Sequence, residues 1–319
     1  MPGPLVATKL HIPASRRSLV SRARLADRLA AVTDVRVTLV SAPAGFGKTT
    51  LVAECLREVT DPDLDVAWLS LDEHDDDPQR FWAYVLAALD AAQPGSGVGA
   101  QGNLEAGAPT ETVLTTLVND LHGVDRAVVL VLDDLHAIRS PEIHEGLTFL
   151  VDHLPATTHL VVTTRADPPW PLARWRARGE LTEIRSVDLR FTVDETSAYL
   201  TGAMGLPPSA SEVDALEART EGWIAALQLA ALSMQGRDDV ADFVAGFTGD
   251  DRFVVDYLAG EVLHRQPAPV RRFLLETSVL ERLTGSLCDA VTGTGGGSRM
   301  LADLDRENLF VLPLDDRRE

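Results

Sequence analysis

The stretch Val35-Arg36-Val37-Thr38-Leu39-Val40-Ser41-Ala42-Pro43-Ala44-Gly45-Phe46-Gly47-Lys48-Thr49-Thr50 decides how the rest of the chain is read. Residues 35–41 read as one continuous buried strand, and a helix is expected from about 49 to 58. Between them, residues 42–50 match the phosphate-binding loop, with Ala42 in place of the usual first glycine. Alanine is small and falls at the strand end, so it preserves the pattern. Gly45 and Gly47 let the backbone N–H groups of Pro43-Ala44-Gly45-Phe46-Gly47-Lys48-Thr49-Thr50 turn inward around phosphate oxygens, proline alone lacking the donor. Lys48 adds charge on the β- and γ-phosphates, and the Thr49 hydroxyl is a ligand for Mg²⁺. The expected cofactors are therefore ATP or ADP with Mg²⁺.

A second segment completes this chemistry. Residues 127–132 form a very apolar strand that runs into Asp133-Asp134. Such a strand delivers one carboxylate to the Mg²⁺ shell, the role expected of Asp133. Asp134, beside it, is placed to orient or activate an attacking water. A pair of acids after a core strand is common, and the lysine loop upstream is what makes a metal site the better reading. Thr163-Thr164-Arg165 closes the next strand, where a polar or basic side chain can reach the γ-phosphate, and Arg165 is the candidate sensor. Lys48, Asp134 and Arg165 are thus the candidate catalytic groups. His136 is expected to make a structural hydrogen bond. The acidic run Asp72-Glu73-His74-Asp75-Asp76-Asp77 is expected to be a solvated loop capping the helix that starts at Pro78. The five tryptophans are expected in cores or interfaces.

Around these motifs, strands and helices alternate through the first half of the chain. Further strands are predicted at 66–71, 159–164 and 181–184, and helices at 77–91, 110–121 and 141–154. The Gly-, Pro- and Ser-rich stretch 93–108 reads as an exposed loop. Apolar strands separated by helices imply a parallel sheet covered on both faces, with ligands at the carboxyl ends of its strands. After residue 189 the pattern turns helical, with segments at 194–204, 209–217, 223–234 and 238–263. A third unit is expected from 268, with helices at 270–277, 285–291 and 300–306. A glycine-rich turn at 293–297 and a strand at 309–314 complete it, and the chain ends just after that strand, so this unit is expected to be incomplete.

Bulk composition narrows the class. The chain has 319 residues, 45% hydrophobic, enough for two or three domains. No apolar run approaches the length of a membrane span, and the N-terminal segment lacks the apolar centre of a signal peptide, so the expectation is cytoplasmic. Two cysteines without CxxC spacing read as buried reduced thiols. With 48 acidic and 29 basic residues, a formal charge of −19, the chain repels phosphate backbones at long range and is not expected to bind DNA by itself. Arg16, Arg17, Arg22 and Arg24 form one basic stretch, read mostly as a solvated helix start.

Taken together, the blocks resemble the ATPase half of the large LuxR-type regulators related to the maltose-regulon activator MalT, within the signal-transduction (STAND) ATPases. The matching blocks begin with TKLHIP and LVSRARL, then LVSAPAGFGKTTL, WLSLDEHDDDPQRFWAYV and VLVLDDLHAI. They continue with TTRADPPWPLARWRARGEL, DLRFTVDE, TEGWIAALQLAALSM, FLLETSVLERLTGSLCDAVTG and NLFVLPLD. The resemblance implies an ASCE/AAA-like P-loop NTPase domain over 1–190, a helical domain over 191–265 and a partial winged-helix domain over 266–319. It also implies that Val20 and Arg22 lie near the adenine, that Arg165 occupies the sensor position, and that Gly222 stands where the helical domain approaches the nucleotide. In this family ATP and an inducer favour an open, multimerising form, and ADP holds the closed monomer. DNA would be reached only through a C-terminal helix-turn-helix that lies outside these residues. Two other readings compete: an ATP-binding regulatory segment attached to a protein kinase, and a small-molecule P-loop kinase, which would need an arginine-rich lid and an acceptor pocket.

Overall fold

The computed structural model describes residues 5–14, 20–58, 64–124, 126–206, 208–234, 240–247, 252–264, 266–280, 282–306, 309 and 311. The chain divides into two compact units, one made of Met1–Ser41 and Gly47–Leu189, the other of Ala42–Phe46 and Arg190–Glu319.

The first unit is built on a parallel sheet of five strands: β1 (Val37–Ser41), β2 (Leu64–Ser70), β3 (Ala127–Asp133), β4 (Thr158–Thr164) and β5 (Leu181–Arg185), in the order β2-β3-β4-β1-β5. Every residue of β1 and β4 is buried, and all of β3 except Ala127. That explains why these segments are apolar throughout instead of alternating: helices cover both faces. The helices are α1 (Ala23–Ala30), α2 (Lys48–Glu58), α3 (Pro78–Ala92), α4 (Val98–Glu105), α5 (Thr110–His122), α6 (Pro141–His153), α7 (Leu172–Ala177) and the single turn α8 (Ser186–Leu189). Trp68, Trp82 and Trp175 are each at most 1% exposed, and truncating a side chain of that size in a core costs about 3–5 kcal/mol. Trp82 also explains Gly146 in α6, because a Cβ there would lie 2.7 Å from the indole.

The topology matters for the site. Strand β4 lies between β1 and β3, with Ser41 paired to Thr164 and Leu132 to Val162. The phosphate loop leaves β1 and the acid pair ends β3, so the end of β4 falls between them.

Several expectations are corrected here. Residues 93–108 are not an exposed loop: they contain α4, and Gln93, Ser96, Ala100 and Leu104 are buried. Glycine and serine content masked a helix whose small residues allow close packing on α5, a Cβ at Gly99 meeting the Thr116 methyl at 3.0 Å. The acidic run is only partly solvated. Asp77 caps α3 by accepting the Arg80 N–H, as expected, and Asp72 caps the short 3₁₀ turn Glu73–Asp75. Asp75, however, is wholly buried, 2.5 Å from Lys9 Nζ and 3.3 Å from Arg80 Nε. Of the basic stretch, Arg22 is buried and donates to the Leu189 carbonyl at 2.7 Å, and Arg24 donates to the Asp188 carbonyl at 2.5 Å. Arg16 and Arg17 lie outside the described residues.

The second unit is helical where described: α9 (Val193–Ala198), α10 (Ala210–Thr220), α11 (Ile224–Met234), α12 (Val240–Gly246), α13 (Arg252–Leu258), α14 (Ala268–Thr277), α15 (Gly285–Thr292) and α16 (Gly297–Arg306). The predicted helix 238–263 is α12 and α13, the latter running into a π-helical turn, Ala259–Leu263. A similar turn, Tyr199–Ala203, extends α9. Phe273, Cys288 and Leu304 pack together in α14–α16, with Val262, Leu309 and Ala44 in the same cluster. Most of the predicted strand 309–314 lies outside the described residues. No helix among the described residues is long and apolar enough to cross a membrane.

Candidate functional site

Gly45 and Gly47 adopt φ of +79° and +74°. L-residues with a Cβ pay roughly 1–2 kcal/mol there, so the loop needs glycine at both positions to turn its N–H groups inward. The chain enters α2 directly at Lys48, whose N-terminal partial positive charge faces the same space.

Lys48 is 6% exposed. Its pKa is lowered to about 8, chiefly by burial, with the nearby Arg165 charge lowering it as well and Asp134 and Asp133 opposing both. Four of the expected residues therefore share one electrostatic neighbourhood. An ammonium kept this dry, with a second cation beside it, gains most from an anion that can take hydrogen bonds from it, such as a phosphate.

Asp133 ends β3 and is 4% exposed. The Thr49 hydroxyl donates to its Oδ1 at 2.8 Å, and the Thr163 hydroxyl to the same oxygen at 2.6 Å. Burial and the neighbouring Asp134 charge nonetheless push its pKa up to about 6, with the two hydroxyls and Lys48 pulling it down. The group costs free energy as a bare carboxylate, and a divalent cation would offset that cost. A threonine hydroxyl and a carboxylate 2.8 Å apart form a hard oxygen donor set, which fits Mg²⁺. Asp134 adopts φ +60°, the left-handed conformation uncommon outside glycine, and its side chain is 45% exposed. The His136 ring nitrogen stands 3.6 Å from it.

Arg22 is held by the Leu189 carbonyl and lies close enough to Glu54 and Cys55 on α2 to influence both, while Val20 is half-buried. Pro43, Phe46 and Thr50 are half-buried along the loop. In the second unit, Gly222 has φ +70°, and a Cβ on it would lie 2.4 Å from the Phe191 carbonyl oxygen. Its own carbonyl accepts the Phe191 N–H at 2.8 Å. That glycine fixes the chain just ahead of Trp223, whose indole N–H donates to the Ala44 carbonyl at 3.1 Å, while the Ala225 N–H donates to the Gly45 carbonyl at 3.1 Å. Two carbonyls of the phosphate loop are thus bound by this pair. Sequence reading gave Trp223 only a core or interface role, since nothing in its spacing identifies a carbonyl partner so distant in sequence.

Two further polar groups escaped the sequence reading. The Ser41 hydroxyl donates to Asp167 at 3.0 Å, and Arg185, at the end of β5, pairs with Asp167 and Glu183. Parallel pairing sets Ser41 opposite Arg185, and Asp167, just beyond β4, accepts from both, an arrangement that local pattern does not encode.

Comparison with known proteins agrees with this geometry. Residues 18–163 match the AAA ATPase domain, and residues 259–319 match the MalT winged helix domain. The serine/threonine-protein kinase PknK of Mycobacterium tuberculosis is 35% identical over 98% of this chain, and the HTH-type transcriptional regulator MalT of Serratia proteamaculans is 34% identical over 99%. The chain spans 28% and 35% of the lengths of these two relatives. Among solved structures, the Walker-type ATPase PABY2304 of Pyrococcus abyssi shares the fold with a TM-score of 0.62 at 13% identity, covering 95% of this chain and 93% of that one. Cdc6p of Pyrobaculum aerophilum follows with a TM-score of 0.50 at 15% identity, covering 96% of this chain and 90% of that one. The chain is accordingly a MalT-like P-loop ATPase region, an AAA ATPase domain followed by a helical part and a MalT-type winged-helix segment.

Proposed function

We propose that this region is a nucleotide-controlled switch of a MalT-like transcriptional activator, binding ATP or ADP with Mg²⁺ and hydrolysing ATP slowly. The observation that carries the reading is the 2.8 Å bond between the Thr49 hydroxyl and Asp133, beside the buried Lys48. On this reading Lys48 neutralises the β- and γ-phosphates and the loop N–H groups hold their oxygens. Thr49 and Asp133 hold the metal, which when bound supplies charge neutralisation to the phosphates. Asp134 orients the attacking water from its left-handed position, and Arg165 reports the γ-phosphate. Val20 and Arg22 flank the adenine, and Gly222 sets the backbone that presents Trp223 to the loop. The nucleotide would bias the relation between the ATPase domain (1–190), the helical domain (191–265) and the winged-helix domain (266–319), with ATP favouring self-association. DNA would be contacted only by a helix-turn-helix elsewhere in a longer protein, in the cytoplasm.

A second reading is favoured by one observation. The similarity to the protein kinase PknK is as extensive as that to MalT, so the same module can serve as the ATP-binding regulatory segment of a kinase. The switch chemistry is shared, and only the partner domain differs.

The first test is the nucleotide released on denaturing the freshly purified chain, with Mg²⁺-ATP and ADP titrations of the wild type and of Lys48→Ala. Bound ADP, or micromolar binding lost by about 100-fold or more in K48A, supports the reading. Wild-type affinity in K48A sinks it.

A further inference from the structure

We propose that Thr163 is the residue that positions the metal-binding carboxylate, and that it does so without touching the nucleotide. The inference rests on the phosphate-site reading above and names a component that reading does not contain.

Strand β4 is inserted between the strand that feeds the phosphate loop and the strand that carries the acid pair, so one residue near its end must face Asp133. That residue is Thr163, which is fully buried. A threonine hydroxyl has one proton to donate and two lone pairs. The proton goes to Asp133 Oδ1 at 2.6 Å, and a lone pair takes the Asp134 N–H at 2.9 Å. With its only donor committed to Asp133, this hydroxyl has none left for a phosphate oxygen. Thr164 is engaged elsewhere, donating to the Ala166 carbonyl at 2.7 Å.

The consequence is a fixed carboxylate. Thr49 and Thr163 approach Oδ1 from two different elements, α2 and β4. Two donors on one oxygen set the rotation of the carboxylate and keep Oδ2 outside this pair of bonds. The same Thr163 oxygen anchors the backbone at the point where Asp134 enters its left-handed conformation. One hydroxyl therefore sets the direction of the first acid and the backbone turn of the second. Removing it leaves a half-buried N–H unpaired and frees the carboxylate to rotate. Groups that orient metal ligands in this way typically change metal affinity by about 10–100-fold when lost.

The test uses the full chain and compares T163V, which keeps the shape, with T163S, which keeps the hydroxyl. Two quantities are measured for each: the ATP dissociation constant in excess EDTA, and the Mg²⁺ concentration that half-saturates the Mg²⁺-dependent gain in ATP binding. The expected result is a T163V affinity in EDTA within about two-fold of wild type and a half-saturating Mg²⁺ concentration raised about 10-fold or more. T163S should restore the Mg²⁺ dependence to within about three-fold. Unchanged Mg²⁺ dependence in T163V overturns the proposal, as does a T163S variant equally impaired, because shape would then matter and the hydroxyl would not. A loss of ATP binding in EDTA also overturns it, since Thr163 would then serve the nucleotide directly. If T163V does not fold, T163C, a weak donor of similar size, is read on the same two titrations against the same thresholds. A wild-type chain that binds no nucleotide refutes the phosphate-site reading itself, and is recognisable because it precedes any comparison of variants.

Discussion

Two neighbouring strands lead into acidic residues, and the structure treats the two ends in opposite ways. Strands β2 and β3 pair in register, with Ser70 opposite Asp133, and the Leu71 N–H reaches the Asp133 carbonyl. Beyond β2 lies Asp72–Asp77 in sequence, beyond β3 the Asp133–Asp134 pair. After β2 the carboxylates meet cations and helix ends: Lys9 bridges Asp72 at 2.6 Å and Asp75 at 2.5 Å, Arg80 adds a contact to Asp75, and Asp77 caps α3. After β3, Asp133 accepts from two neutral hydroxyls, and the Lys48 charge also lowers its pKa. In the first cluster Asp72 and Asp75 are paired with cations and Asp77 caps a helix, all structural roles. The second holds Asp133 on two hydroxyl oxygens, a hard-donor arrangement that suits a divalent cation. Acidic composition is therefore a poor guide to metal binding, and the partners decide.

The largest effect should come from breaking the paired side. Asp75→Asn removes the buried partner of Lys9, which keeps Asp72 at 2.6 Å, and losing a hydrogen bond to a charged group costs about 1.5–3 kcal/mol. Chemical denaturation should show a loss of that order, while ATP affinity in the folded protein stays within about two-fold. A matching loss of nucleotide binding would mean that the two acidic ends are not separable.

On the other side, Asp134→Asn should retain ATP and slow its turnover about 10-fold or more, as loss of a group acting on the attacking water does. Single-turnover hydrolysis with pre-bound ATP is the measurement, and unchanged turnover removes Asp134 from its role.

The smallest and most diagnostic effect concerns Asp133→Asn. The folded-state pKa of Asp133, about 6, lies above its ordinary value of 3.8, so the folded chain binds more protons than the unfolded one between those values. Stability contributed by this site therefore falls as pH rises from about 4 to about 6, and the full cost of the bare carboxylate is present above that. Removing the charge should raise the midpoint of thermal unfolding by a few degrees at pH 7.5 in EDTA, on the order of 1 kcal/mol. The gain should vanish near pH 4, and the variant should lose the extra stabilisation that Mg²⁺ gives with ATP. A destabilised variant at pH 7.5 would show that the carboxylate is satisfied by its hydroxyls alone, like the acids after β2.

Much of this was legible beforehand. Residues 35–41 and 127–132 announced themselves because a strand buried on both faces tolerates little but apolar side chains, and the observed strands fall within or close to those bounds. The glycines at 45 and 47 were legible for a stereochemical reason, since few other residues accept their backbone angles. The helix at 98–105 was not, because glycine and serine weaken local propensity and α4 is held by packing that only the fold supplies.

The sequence by itself determined the local chemistry of this protein. A lysine, a threonine and an acid pair stand at spacings that imply a phosphate and metal site, because backbone conformation and donor type are properties of short segments. Which groups face one another was decided by tertiary structure alone. Strand order places Thr163 against Asp133, and chain reversal brings Lys9 to Asp75 and the Trp223 indole to the Ala44 carbonyl. Burial then does what no local pattern can encode: it removes the water that would have equalised these carboxylates, so that their partners set them apart.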